Sequence, residues 1–127
     1  MAKYAHADVL DGGLSAIKTN AIRLLVLKAY SAADSYATVA GNAICTITVA
    51  NADFTLSGAD GAARVLTTAA KSGTASGNSG ATPNLHFAFT DNVSRVLWVT
   101  DETTDQVVTS GNPVNVPALT YTNPQPV

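Results

Sequence analysis

The stretch Asn84–Thr109 reads NLHFAFTDNVSRVLWVTDETTDQVVT. Leu85, Phe87 and Phe89 alternate with His86, Ala88 and Thr90, the two-residue period of a strand with one strongly apolar face. Asp91-Asn92 supplies a turn, because short Asx side chains bond their own backbone and tolerate tight geometry. Ser94–Thr100 contains Val96, Leu97, Trp98 and Val99, a consecutive large apolar run that predicts a strand covered on both faces. Asp101-Glu102-Thr103-Thr104-Asp105 forms the next corner, and Gln106–Thr109 is expected to return as a short strand. The pattern is that of a β-meander. It holds the only Trp and two of the three Phe residues, so the rest of the chain is expected to be organised around it.

Upstream, residues 1–7 carry no strong pattern and read as an ordered arm on a partner or a loose terminus. Asp8–Asn20 predicts a short helix, with Val9, Leu10, Leu14 and Ile17 at helical spacing and Asn20 as a stop. Gly12-Gly13 weakens it, since an interior Gly costs about 1 kcal/mol against Ala. Ala21–Ala29 could be helix by periodicity alone; the dominance of β elements elsewhere resolves it as a strand. Ile22, Leu24 and Val26 then share one face, and Leu25 and Leu27 the other. Tyr30–Gly41 is a connector in which Asp34 or Ser35 caps one helical turn ending at Gly41-Asn42. Ala43–Ala50 is a strand with Ile44, Thr46 and Thr48 opposite Cys45, Ile47 and Val49. Further strands are expected over Phe54–Leu56 and Arg64–Ala70, with turns at 51–53 and 57–61. Lys71–Pro83, KSGTASGNSGATP, reads as a flexible loop or as a strand edge of Thr and Ala flanked by Gly. Downstream, Val114–Tyr121 is a last strand, placed at a sheet edge by Pro117, which cannot donate to the ladder. Asn123-Pro124-Gln125-Pro126 is an extended tail.

About eight short strands broken by Gly, Asn and Asp turns predict an all-β fold: a two-layer antiparallel sandwich, with jelly-roll or other Greek-key connection and one short N-terminal helix. At 127 residues, one domain is expected, with possible arm 1–7 and tail 123–127. A chain of that length buries roughly two-thirds of its unfolded surface, enough for a core without staples.

Charged residues are 13% of the chain, about half the usual share of around 25%. A surface poor in charge and rich in Ala, Thr, Ser and Gly suits packing against other protein. The net charge of −2 comes with no Lys/Arg cluster, so nucleic acid and anionic membrane are not expected partners. Cys45 is the only cysteine, which excludes an intrachain disulfide; in the run Ile44-Cys45-Thr46-Ile47 it reads as a small buried hydrophobe. Asp8 and Asp11 interrupt the region where a signal peptide would place its apolar segment, and Ile22–Ala29 is shorter than a membrane span.

No catalytic constellation emerges. Ser79 follows Gly77 at the spacing of a nucleophile elbow, but Ala81 stands where the second Gly belongs. His86, beside aromatics, reads as a packed or interface histidine, and His6 has no catalytic company. Asp101, Glu102 and Asp105 lack the spacing of a hard-cation loop and read as a solvated corner. The Gly/Ser loop lacks the Gly-Lys-Ser/Thr ending of a phosphate cradle. Asn92-Val93-Ser94 matches a glycosylation sequon but has no secretory signal with it. Arg23, Arg64 and Arg95 lie in or beside strands, as solvent-facing residues or as intersubunit ion pairs. No cofactor, metal or enzyme activity is expected.

Three pieces of sequence carry a resemblance. They are Asp8-Val9-Leu10-Asp11-Gly12-Gly13-Leu14 with Ile17-Lys18-Thr19-Asn20; Ser35-Tyr36-Ala37-Thr38-Val39; and Val96-Leu97-Trp98-Val99-Thr100 through Val108-Thr109-Ser110-Gly111-Asn112 to Val116-Pro117-Ala118. Each piece alone is a weak motif, but the similarity covers most of the chain, and the combination resembles small structural proteins from the head-gene region of tailed bacteriophages and prophages. The resemblance implies a virion protein of the capsid decoration, or cement, type. Such a protein is made in the bacterial cytoplasm, sits on the capsid exterior, bridges neighbouring capsomers and forms a dimer or trimer. Its expected partners are the major capsid protein of the same phage and further copies of itself. The candidate capsid or intersubunit contacts are Met1, Ala2, Lys3 and Tyr4 in the arm, Gly73, Gly77 and Asn78 in the loop, and Pro124, Gln125 and Pro126 in the tail. The rival expectation is a tail or fibre module that binds host-surface sugars through exposed aromatics, for which Tyr4, Tyr30, Tyr36 and Tyr121 are candidates while Trp98 belongs to the core.

Overall fold

The computed structural model describes residues 2–101 and 106–126. The chain opens with helix α1 (Ala7–Asn20), which buries Leu10, Leu14 and Ile17 and leaves Val9 outside, 70% exposed. The positions 10, 14 and 17 form one helical stripe, and that stripe alone faces the core. His6 precedes the helix and its Nδ1 accepts the Asp8 N–H at 3.1 Å. Next come β1 (Arg23–Leu27), a short helix α2 (Tyr36–Gly41), β2 (Ala43–Thr48), a 3₁₀ turn (Asn51–Asp53), β3 (Phe54–Ser57), β4 (Arg64–Thr68) and β5 (Lys71–Thr74). The chain ends with β6 (His86–Thr90), β7 (Val96–Asp101), β8 (Pro113–Val116) and β9 (Thr120–Asn123). Of the two expected caps for α2, Ser35 is the one used: its hydroxyl accepts the Thr38 N–H at 3.3 Å.

The strands form an all-β, sandwich-like fold of antiparallel sheets. One is four-stranded in the order β2-β1-β6-β7; against it lie a three-stranded sheet, β3-β4-β9, and a two-stranded sheet, β5-β8. A single main cluster joins Leu24, Val26, Phe87, Phe89 and Trp98 of the large sheet to Phe54 and Leu66 of the second, Val114 and Val116 of the third, and Leu14 and Ile17 of α1. Phe89 is the centre of its aromatic part. It stacks on Trp98 at 5.0 Å and meets Phe54 edge-on at 5.6 Å.

The outer face of the four-stranded sheet carries a smaller cluster: Leu25, Leu27 and Ala88 with Val39 of α2, flanked by Tyr30, Val96 and Val99. The alternation read in β1 and β6 thus has its two faces where expected. Two bulges modify it. Val26 pairs with Cys45 and Leu27 with Ala43, so Ile44 is an extra residue and joins the main cluster beside Cys45 and Ile47. Phe89 pairs with Trp98 and Thr90 with Val96, so Leu97 is extra and packs on the main cluster next to Trp98. The expected division of β2 into Ile44 opposite Cys45 therefore fails at the bulge.

Three other expectations are corrected. Residues 106–109 form no strand; Val108 turns away from the meander and exchanges hydrogen bonds with Ser79. Val114–Tyr121 is not one strand. Pro117 and its neighbours break it into β8 and β9, which belong to different sheets. Lys71–Thr74, in the segment read as loop or edge, is β5, paired with β8. Among the described residues no helix is long and apolar enough to cross a membrane.

Candidate functional site

The arm and the tail meet on the chain itself. The Tyr4 hydroxyl donates to the Asp60 carboxylate, 2.7 Å from each oxygen, and the Ala7 N–H donates to the same group at 3.1 Å. The Tyr4 hydroxyl, then the Ala7 N–H, hold Asp60 below the ordinary carboxylate range, while the shared hydrogen bond pushes the Tyr4 phenol up. Ala5 and Gln125 bond reciprocally, N–H to Oε1 at 2.9 Å and Nε2 to the Ala5 carbonyl at 3.0 Å. Gln125 Nε2 also reaches the Ala62 carbonyl at 3.0 Å, and Asn123 Nδ2 donates to the Leu10 carbonyl at 2.8 Å. The result is a polar clasp of the two termini around the 60–62 turn. Its Tyr4–Asp60 part is exposed, so each bond contributes little net stability there.

Of the sequence candidates, Tyr4 and Gln125 are members of this clasp. Ala2, Lys3, Pro124 and Pro126 flank it on the exposed surface, and Met1 lies outside the described residues. Gly73, Gly77 and Asn78 are elsewhere. A Cβ at Gly73 would stand 2.8 Å from Ile47 Cγ1 and 3.0 Å from Cys45 Sγ, and one at Gly77 would stand 3.1 Å from Ile44 Cγ2. These glycines let the segment close on the edge of β2, where the Ser76 N–H bonds the Ile44 carbonyl at 2.7 Å. Asn78 Oδ1 accepts the Ser110 N–H at 2.8 Å, and Ala75 bonds both Asn112 and Gly111 through its backbone. The Gly/Ser segment is thus ordered by its own chain.

Beside the clasp lies a depression of about 290 Å³, lined by Gly13, Leu14, Ala16 and Ile17 of α1, Leu97 of β7, and Tyr121 and Asn123 of β9. Tyr121 is 42% exposed and meets Trp98 edge-on at 5.5 Å. Trp98 itself is buried, as expected. The sequence missed this surface. Its residues come from three distant segments, and Asp60 lies 56 positions from the Tyr4 it binds; no local pattern marks either.

The remaining candidates resolve into structural roles. Cys45 is fully buried, and burial pushes its thiol up. His86 packs against the Tyr30 ring at 5.5 Å, with Nε2 3.7 Å from Asp101. Glu102 and Asp105, the rest of that acidic corner, lie outside the described residues; among the described residues no cluster of three His, Cys, Asp or Glu side chains could hold a metal. Arg64 makes a two-point ion pair with Asp11, at 2.8 and 3.1 Å, and donates to the Gly58 carbonyl. Arg95 Nε binds Asp91 at 2.9 Å, and Arg23 donates to the Ile22 carbonyl. Arg64 and Arg95 therefore have their acidic partners within the chain, where the sequence allowed solvent or a neighbouring subunit.

No family model matches the chain, and no curated protein or solved structure matches it.

Proposed function

We propose that this chain is a structural virion protein that binds the outside of a tailed-phage capsid and stabilises it by bridging neighbouring capsomers. The reading starts from the resemblance in α1, α2 and the 96–118 region. The observation that carries it furthest is the clasp: both termini converge at one corner, held partly by exposed polar bonds that a neighbouring protein surface can replace one for one. A chain of low charge density that presents two exchangeable ends at one corner suits attachment to a repeated protein lattice. Binding the assembled shell and not its separated subunits stabilises the shell by linkage, and oligomeric attachment multiplies a weak contact.

The test is the copy number of the chain in purified particles from its source, by quantitative mass spectrometry against the major shell protein. Copies comparable to the shell protein support decoration. A handful per particle moves the chain to the tail or connector, and absence removes the virion reading. Attachment through the corner is tested by deleting residues 2–5 or 124–126. Ala7 and Asn123 must stay, because they belong to α1 and β9. Folding should survive either deletion and attachment to shells should weaken.

One observation favours a second reading, a tail or fibre module that binds host glycans. Tyr121 presents an exposed aromatic face beside the Asn123 amide on the rim of the depression, a pairing suited to a sugar ring. Glycan-array binding that is lost in Tyr121→Ala would favour it.

A further inference from the structure

The chain has two Asp-Gly pairs, in opposite settings. Asp60-Gly61 lies in the turn between β3 and β4, with both residues exposed and Gly61 at a φ of +86°. The N-terminal arm rests on it. The Tyr4 hydroxyl is 2.7 Å from each oxygen of the Asp60 carboxylate, and the Ala7 N–H adds a bond at 3.1 Å. The Tyr4 ring also covers the glycine: its Cε2 is the nearest atom, at 4.0 Å, to the point where a Gly61 Cβ would stand. Gln125 of the tail ties down the next residue through the Ala62 carbonyl at 3.0 Å. Asp11-Gly12, by contrast, lies inside α1. Its carboxylate is held by Arg64 at 2.8 and 3.1 Å, with only 16% of the side chain exposed.

We propose that Asp60-Gly61 is a site of spontaneous isoaspartate formation and that the N-terminal arm is its guard. In the reaction the Gly61 nitrogen attacks Asp60 Cγ. The new C–N bond closes a succinimide ring, the amide proton goes to solvent, and a carboxyl oxygen departs as water. A water molecule then breaks the original bond between the Asp60 carbonyl carbon and the Gly61 nitrogen, so the chain runs on through Cγ. One water leaves and one enters, and nothing is oxidised or reduced. Glycine permits the ring closure most readily, because no Cβ crowds the attacking nitrogen. The carboxyl must give up an oxygen, which an ionised and hydrogen-bonded carboxylate does poorly. The arm therefore opposes the reaction twice. Tyr4 first, then the Ala7 N–H, hold the carboxyl below its ordinary range, and the Tyr4 ring sits over the glycine. Asp11 needs no arm, because the helical ladder commits the Gly12 N–H and keeps it from turning onto Cγ. Isomerisation also puts a methylene group into the backbone and carries the carboxylate away from Tyr4 and Ala7. An arm that stays away long enough for the ring to close then loses its anchor, so the clasp works as a one-way latch.

The free chain tests it. Wild type, Tyr4→Phe and a deletion of residues 2–5 are incubated at neutral pH, with the urea-denatured chain as the unguarded reference. Isoaspartate at each Asp-Gly pair is read by chromatography and electron-transfer fragmentation of the peptides that contain it. At Asp60, wild type should isomerise more slowly than the denatured chain. Tyr4→Phe should be about two- to fivefold faster than wild type, the effect of losing one exposed hydrogen bond. The deletion, which also uncovers Gly61, should be faster again, and Asp11 should gain in neither variant. Equal Asp60 rates in wild type and both variants would overturn the guard. Faster isomerisation at Asp11 than at Asp60 in the folded chain, or none at Asp60 in the deletion, would overturn the site. Should the deletion unfold the chain, Asp11 will rise together with Asp60, and Tyr4→Phe, which removes a single exposed hydroxyl, decides alone. No shell is present in this experiment, so its failure leaves the capsid reading as it was, and an absence of copies in particles leaves this inference standing.

Discussion

The two sides of the sandwich are closed by opposite means. On the β2 side, the small-residue segment 71–77 lies so close to the sheet that Gly73 has no room for a Cβ. On the β7 side, large apolar residues stop at the last strand of the sheet, a depression lies between Leu97 and α1, and both Gly13, which lines it, and its neighbour Gly12 have nothing within 4 Å of where a Cβ would stand. Side-chain size is therefore inverted relative to closure. Small residues mark the sealed side because close approach requires them, and large ones mark the open side because they reach the core from an edge.

The largest effect should come from testing whether the edge strand β7 is part of the core. Trp98 is only 9% exposed and stacks on Phe89. Trp98→Ala should cost about 3–5 kcal/mol, as for a fully interior aromatic. Urea denaturation measures it; a loss below about 1 kcal/mol would show that the open side contributes little to the fold and would erase half of the comparison.

The sealed side breaks next. Gly73→Val should cost about 1–3 kcal/mol by overpacking against Ile47 and Cys45, both in the core. Gly77→Val should cost less, because its nearest neighbour is the Ile44 Cγ2 methyl at 3.1 Å. If both are neutral, the 71–77 segment does not rest on β2.

Acid sharpens the comparison at the turn leading into β7. Asp91 Oδ1 accepts the N–H groups of Val93, Ser94 and Arg95 at 2.9, 2.9 and 3.0 Å, and Oδ2 takes the Arg95 guanidinium. The Arg95 N–H first, then its guanidinium, then the N–H groups of Ser94 and Val93 hold the carboxyl well below its ordinary range. A depressed folded-state pKa means the unfolded chain binds the proton first. The stabilisation is complete above the unfolded value of about 3.9 and is lost as pH falls through the folded one. Asp91→Ala should therefore melt below wild type at pH 7, and the gap should shrink as pH drops below about 4. A gap independent of pH would assign the effect to turn geometry alone.

These elements also show what was legible in the sequence. The period-two alternation in β1 and β6 and the helical stripe Leu10-Leu14-Ile17 were readable because burial selects side chains locally. The Asp91-Asn92 turn was readable because its bonds span four residues. The place of β7 at an edge was not, since an apolar run reports burial and says nothing of which strand lies beside it. The third strand of the meander failed for a related reason: Val108 is buried in the main cluster, but its backbone bonds Ser79 and forms no ladder with β7. The clasp and the depression were invisible because they join residues from opposite ends of the chain.

The smallest effect has the opposite sign and separates the two kinds of glycine. Gly12 and Gly13 sit inside α1 with unoccupied space beyond them. Replacing either with Ala should stabilise the isolated chain by about 0.5–1 kcal/mol, because Ala restricts the unfolded backbone and fits the helix. At Gly73 even one added carbon meets the core, so the same chemical change on the two sides should move stability in opposite directions. Thermal denaturation of Gly12→Ala and Gly73→Ala, run side by side, reads that sign directly. A gain at Gly12 accompanied by weaker attachment to shells would mean that the bare helix surface is kept for close approach by another protein. A gain with attachment unchanged would place the contact on other faces. A loss at Gly12 would mean that the helix is not open on that face, and the contrast between the two sides of the sandwich would fall with it.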